Sequence, residues 1–234
     1  SLTERGGSGE GQVRVHGRVP GALEAGAGRE AYDQRRPHIP CGLVGGCADL
    51  GDWRRREAVS EFSESYHLRT DRQESGVALL EKAGCRGFVL PVVNGWVTVL
   101  PESEPFVVCE PMIEANEGLL VYYWYAEDHG WGFSVYQGDN QVCDYAQMWS
   151  AEDEDDSRSL LDMGFLVSLA ESAGRPDDRP AERLRQLLDG ELDVENPAYE
   201  FARLLGLPNY EWTSYMYMAD DYDDDSFPGV VRVE

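Results

Sequence analysis

Read for its apolar periods, the chain predicts an α+β domain: a mainly antiparallel sheet, made of a β-hairpin plus a three-stranded meander, with helices packed on one face. Three observations carry this. Asn94-Gly95 joins two β-rich runs, three further runs between Leu119 and Trp149 are parted by short polar turns, and beyond Trp149 the apolar spacing becomes helical.

Taken in order, Val77, Leu79, Leu80 and Ala83 form a short helical face, with Ser75 available as a cap and Gly84 as the stop. Phe88 to Val93 and Trp96 to Leu100 then read as strands. Asn94-Gly95 supplies both positive-φ positions of a type I′ turn between them. Pro91 has no N–H to give a ladder, which predicts a free edge there. The meander follows as Leu119 to Glu127, Trp131 to Gln137 and Gln141 to Trp149. Its first strand is apolar on both faces and belongs in the middle of the sheet. In the second, Trp131, Phe133 and Val135 alternate with Gly132, Ser134 and Tyr136, which predicts one buried face and one lightly covered face. Leu160, Leu161, Phe165, Leu166 and Leu169 predict a helix preceded by the acids of Glu152 to Asp156, which suit its positive end. Pro180 to Gly190 marks a second helix, and a third opens with Asn196-Pro197 and closes at Gly206.

Charge divides the chain. Residues 1–72 hold 11 acids and 11 bases, whereas 73–234 hold 33 acids against 9 bases, so the whole formal charge of −24 lies in the second part. The first part is rich in Gly and Arg and poor in periodic apolar residues, and it reads as a weakly structured leader over 1–72, with short helices at Arg29 to Arg36 and Trp53 to Phe62. The second reads as an acidic α+β domain over 73–234. So negative a surface repels phosphate backbones and anionic lipid, which argues against nucleic acid and membrane as partners. No apolar run approaches the roughly 18 residues of a membrane span. The opening residues, starting at Ser1, lack the apolar core of a secretory signal, and five cysteines without CxxC pairing fit reduced thiols in the cytoplasm better than a disulfide framework. Cys109 and Cys143 read as small apolar strand residues.

Chemistry-bearing motifs are few. Glu127-Asp128-His129 places carboxylates beside an imidazole, the composition of a proton-transfer site, and supports a small hydrolase as the second reading; Asp-His-Gly suits a hairpin turn equally well. Asp221, Asp223 and Asp225 alternate as calcium ligands do, but Ser226 stands where the loop needs Gly and Arg232 where it needs a bidentate Glu. Gly42, Gly45 and Gly46 lack the Gly-Lys-Ser/Thr ending of a phosphate loop, and no Gly-x-Ser-x-Gly elbow occurs. No cofactor and no metal is expected.

The aromatics are more informative. Trp212, Tyr215 and Tyr217 crowd the C-terminal segment and are followed at once by Asp220, Asp221, Asp223 and Asp224. Aromatic anchors ringed by acids suit a basic protein partner, because the acids speed encounter and the rings supply buried contact. The same exposed rings beside carboxylates would also suit a carbohydrate-binding domain. In composition the chain resembles the small acidic α+β immunity proteins of bacteria that neutralise basic toxins, and that likeness implies stoichiometric binding rather than catalysis. The first expectation is therefore a non-catalytic binding protein for a basic partner.

Overall fold

The computed structural model describes residues 60–150, 160–173, 179–222 and 226–234. Strands β1 (Phe62–Arg69), β2 (Gly87–Val89), β3 (Trp96–Pro101), β4 (Leu119–Ala126), β5 (Gly130–Gln137), β6 (Asn140–Met148), β7 (Leu160–Leu161) and β8 (Val231–Val233) form one antiparallel sheet in the order β7-β6-β5-β4-β1-β3-β2-β8. Helices α1 (Gln73–Ala83), α2 (Glu110–Ala115), α3 (Met163–Ser172), α4 (Pro180–Leu188), α5 (Pro197–Leu205) and α6 (Tyr215–Asp221) complete the α+β domain.

The largest departure from expectation is β1. It lies in the middle of the sheet between β4 and β3, so the boundary at 72 is corrected: the ordered domain includes the segment from residue 60. The helix read over Trp53 to Phe62 fails at its described end, because Phe62 begins a strand; its earlier residues, the Arg29 to Arg36 helix and the rest of 1–59 lie outside the described residues. Glu61, Ser63, Ser65 and His67 alternate with Phe62, Tyr66 and Leu68, a period of two that looks polar because its polar row is itself buried.

The hairpin forms as read. Asn94 and Gly95 have φ of 55° and 74°, and Val93 pairs with Trp96 across them. The free edge expected at Pro91 is not how this side of the sheet ends: β2 stops at Val89, and β8 pairs along its outer edge from Gly87 to Val89. In α1, Gly84 is the left-handed C-cap, with φ of 65°, but Arg72 takes the N-cap position and Ser75 sits inside the first turn. Gly76 lets this helix lie against the sheet, since a Cβ there would stand 2.8 Å from both Val89 and Val97 side chains.

β4 is apolar on both faces, and a sheet buried on both faces needs cover on both. Helices α3, α4 and α5 pack over Tyr123, Trp131 and Phe133, with Phe133 and Phe201 stacked 4.0 Å apart. Helices α1 and α2 pack over Leu120, Tyr122 and Trp124 on the opposite side. The α+β class stands, but the helices are not confined to one face. For the same reason the second face of β5 is closed: Trp124 lies over Gly132, Ser134 donates to Asp144 at 2.7 Å, and Tyr136 is buried.

Leu160 and Leu161, read as the start of a helix, instead pair with β6, and the helix opens at Asp162, whose carboxylate accepts the Phe165 N–H at 2.9 Å. The acids Glu152 to Asp156 lie outside the described residues. Asn196 caps α5 by accepting the Tyr199 N–H at 3.1 Å, and Gly206 ends it with φ of 68°. Cys143 is buried in β6, while Cys109 precedes α2 rather than lying in a strand. Among the described residues, no helix is long and apolar enough to cross a membrane.

Candidate functional site: an aromatic and acidic end of the sheet

β3 pairs with β1 only from Tyr66 to Arg69, which leaves that edge of the first half of β1 open. The segment before α6 occupies it. Glu64 N–H donates to Thr213 O at 2.8 Å, Thr213 N–H donates to Ser63 Oγ at 3.2 Å, and Phe62 N–H donates to the Tyr217 hydroxyl at 3.2 Å. Glu61 completes the attachment. Its carboxylate accepts the Trp212 N–H at 2.7 Å and the hydroxyls of Ser63 and Tyr199. Burial pushes this carboxyl above its ordinary range, against the opposing pull of those three donors. Trp212, with φ of 50°, is thereby held in the left-handed region, and the residue is left 36% exposed.

The same anchor gathers the Glu127–His129 turn. Glu61 N–H donates to Glu127 Oε2 at 3.0 Å, and Glu127 N–H returns a bond to Glu61 O at 2.9 Å. Ser60 donates to Asp128, and the His129 ring lies 6.3 Å from that of Phe62. Glu127 and Asp128 are exposed, and Trp149, 42% exposed, donates its indole N–H to Glu127 O at 2.9 Å. One end of the sheet thus presents Trp149, Trp212 and the half-exposed Met216 among Glu127, Asp128 and Glu211. Of the other residues read from the sequence, Tyr215 packs on Phe88 at 5.6 Å, the Tyr217 ring lies 6.1 Å from Trp212, Asp220 is exposed and Asp221 is half-buried. Asp223 and Asp224 lie outside the described residues.

Beside this end a small cleft of about 30 Å³ opens between α6 and the loop that joins β3 to α2. Phe62, Leu100, Phe106, Tyr215 and Met216 wall it, and Glu64 lies on its floor. Phe106 takes φ of 59°, and its N–H donates to Glu64 Oε2 at 3.0 Å; the Tyr122 hydroxyl donates to Oε1 at 2.8 Å. Burial outweighs both bonds and raises the Glu64 carboxyl to about 7. Among the described residues no Lys, Arg or His forms an ion pair with it. Glu127, Asp128 and His129 do not line this cleft, so the trio read as a hydrolase site forms a turn tied to the end of β1.

Ser65 and His67 superficially resemble a nucleophile and its base, with Oγ 2.9 Å from Nε2. Both are fully buried, which leaves a substrate no approach. Thr98 and Asn209 continue the chain of polar contacts from His67, and burial pushes the imidazole down to about 3, so it stays neutral as a packed core group. Among the described residues no group of three His, Cys, Asp or Glu is placed to hold a metal ion.

Glu61 and Glu64 were not anticipated from the sequence, because both fall in the segment read as leader. The signal that marks them is the alternation over 61–68, in which one acid lies on each face of the strand. Comparison with protein-family models, with curated proteins and with solved structures gives no match.

Proposed function

We propose that this protein is a non-catalytic binding protein that captures a basic protein partner, in the manner of an inhibitor or immunity-type protein, through the end of the sheet built by Trp149, the Glu127–His129 turn and the segment from Trp212 to Asp221. The observation that carries the reading is the fixing of Trp212: the Glu61 carboxylate accepts its backbone N–H at 2.7 Å while the residue stays 36% exposed. A contact residue held in place before binding loses little freedom on docking, which is what a hot-spot aromatic requires. Charge supports the same reading, since residues 60–234 carry 36 acids against 11 bases and an acidic field of that size speeds encounter with a basic surface.

The test immobilises the full chain, as wild type and as Trp212→Ala, and recovers what binds from an extract of the source cell. Retention of a strongly basic protein is expected, with affinity reduced at least about tenfold by Trp212→Ala and sharply as salt rises from about 50 mM to about 500 mM. Capture that ignores both the substitution and the salt, or a captured partner that is itself acidic, overturns the reading.

A further inference from the structure

We propose that Cys85 and Cys109 form a peroxide-sensitive thiol pair, which hydrogen peroxide closes into a reversible disulfide between the turn that ends α1 and the residue that opens α2. This chemistry is independent of the proposed partner, since it uses neither Trp212 nor Glu61.

The placement of the two sulfurs supplies contact, access and an order of reaction. They lie 3.6 Å apart, against about 2 Å in a disulfide, so a closing shift of about 1.5 Å makes the bond. Hydrogen bonds hold both backbones at this spacing. Cys85 follows Gly84, the left-handed cap of α1, and its N–H donates to Leu80 O at 2.9 Å; Cys109 takes the cap position of α2, and its N–H donates to the Tyr66 hydroxyl at 2.7 Å. Cys109 and the helices on either side of the contact belong to the same apolar cover of the sheet, so the pair is part of the packed fold. Access differs between the two residues. Cys85 is half-buried and lines a groove of about 480 Å³ between α1 and β8, ample for a molecule as small as hydrogen peroxide, whereas Cys109 is 7% exposed. Cys143, the remaining described cysteine, is fully buried, and its thiol donates to Asp162 O at 3.7 Å; it serves as the internal control.

The Cys85 thiolate attacks one oxygen of the peroxide. The O–O bond breaks, Cys85 is oxidised to the sulfenic acid, and the hydroxide that leaves takes up the proton that Cys85 gave to solvent. The Cys109 sulfur then attacks the Cys85 sulfur: the S–S bond forms, the S–O bond breaks, and the departing hydroxide carries off the Cys109 proton as water. Two thiols and one hydrogen peroxide thus yield one disulfide and two waters. Burial pushes the Cys109 thiol up to about 12, which keeps it protonated and makes it the second reactant rather than the first. A dithiol reductant restores both thiols by exchange and is itself oxidised to its disulfide. The bond spans 24 positions and encloses β2 and β3, so it removes freedom from the unfolded chain and fixes the far end of the β3–α2 loop.

The experiment treats the full chain with hydrogen peroxide, alkylates the remaining thiols in denaturant and maps the peptides by mass spectrometry. A peptide pair joined through Cys85 and Cys109 is expected, lighter by two hydrogen atoms than the reduced pair and separated by dithiothreitol, with Cys143 recovered in alkylated form. In Cys109→Ala, Cys85 is expected to halt at the sulfenic acid and to be labelled by dimedone; in Cys85→Ala, Cys109 is expected to stay a free thiol. A wild-type Cys85 that remains a thiol, ends as an unpaired sulfenic or sulfinic acid, or pairs with any other cysteine overturns the proposal, as does oxidation of Cys109 in Cys85→Ala. Urea unfolding gives a second readout: the cross-link is expected to raise the wild-type midpoint by roughly 1 M and to leave that of Cys85→Ala unmoved. A midpoint that fails to rise overturns the placing of the bond across the native α1–α2 contact.

Discussion

Glu64→Gln provides a direct measure of how the fold treats a carboxylate that it buries. In the unfolded chain the group titrates near 4.5 and in the fold near 7, because burial outweighs the hydrogen bonds from Phe106 and Tyr122. The folded state therefore holds a proton that the unfolded state releases across this window. Stability contributed by the group is fully present below pH 4.5 and is lost as pH rises through 7. At about 1.4 kcal/mol per unit, the gap amounts to about 3 kcal/mol. Gln keeps the shape: its oxygen accepts the Phe106 N–H, and the Tyr122 hydroxyl turns to accept from its amide. Urea unfolding of both proteins at a series of pH values between about 4 and about 8 should show the difference moving by about 3 kcal/mol in favour of the variant. With a denaturant slope of about 2 kcal/mol/M, that is a shift in midpoint difference on the order of 1 M. A difference that stays flat, or moves the other way, refutes the claim that Glu64 is desolvated.

The remaining predictions concern the core. His67 is neutral and buried, titrating near 3 in the fold against 6.5 unfolded, so its contribution is present above pH 6.5 and is lost as pH falls toward 3; between pH 6.5 and about 5 the loss is about 2 kcal/mol. Its imidazole resonances should show no titration down to about pH 4 while the chain stays folded, and titration near 6.5 in the native state would contradict the buried placement. Phe201, fully buried and stacked on Phe133 at 4.0 Å, holds α5 to the sheet. Phe201→Ala should cost about 3–5 kcal/mol in a urea melt, and a loss under about 1 kcal/mol would show that this face is not the packed core described.

Local chemistry made much of the architecture legible. Asn94-Gly95 admits the turn that it makes, Asn196-Pro197 and Gly206 bracket α5, and the double apolar face of β4 places that strand inside the sheet. What escaped was what neighbours decide. β8 is only Val231–Val233 and forms because β2 offers it an edge, and Leu160–Leu161 becomes strand because β6 is beside it. At the candidate site, Trp212, Tyr215 and Tyr217 were legible as an aromatic run. Glu61, Glu64 and Tyr199, from two other parts of the chain, were not, because 138 positions separate Glu61 from the tyrosine that donates to it.

The sequence alone determines the charge, the turns, the helix caps and the alternation of faces, because each depends on a residue and its near neighbours along the chain. Tertiary structure alone decides that the polar row of β1 is core, that Trp212 is pinned by Glu61 and that Glu64, with no cation paired to it among the described residues, lines a cleft. Those outcomes depend on desolvation and on edge pairing between distant segments, and both quantities come into being only when the segments meet.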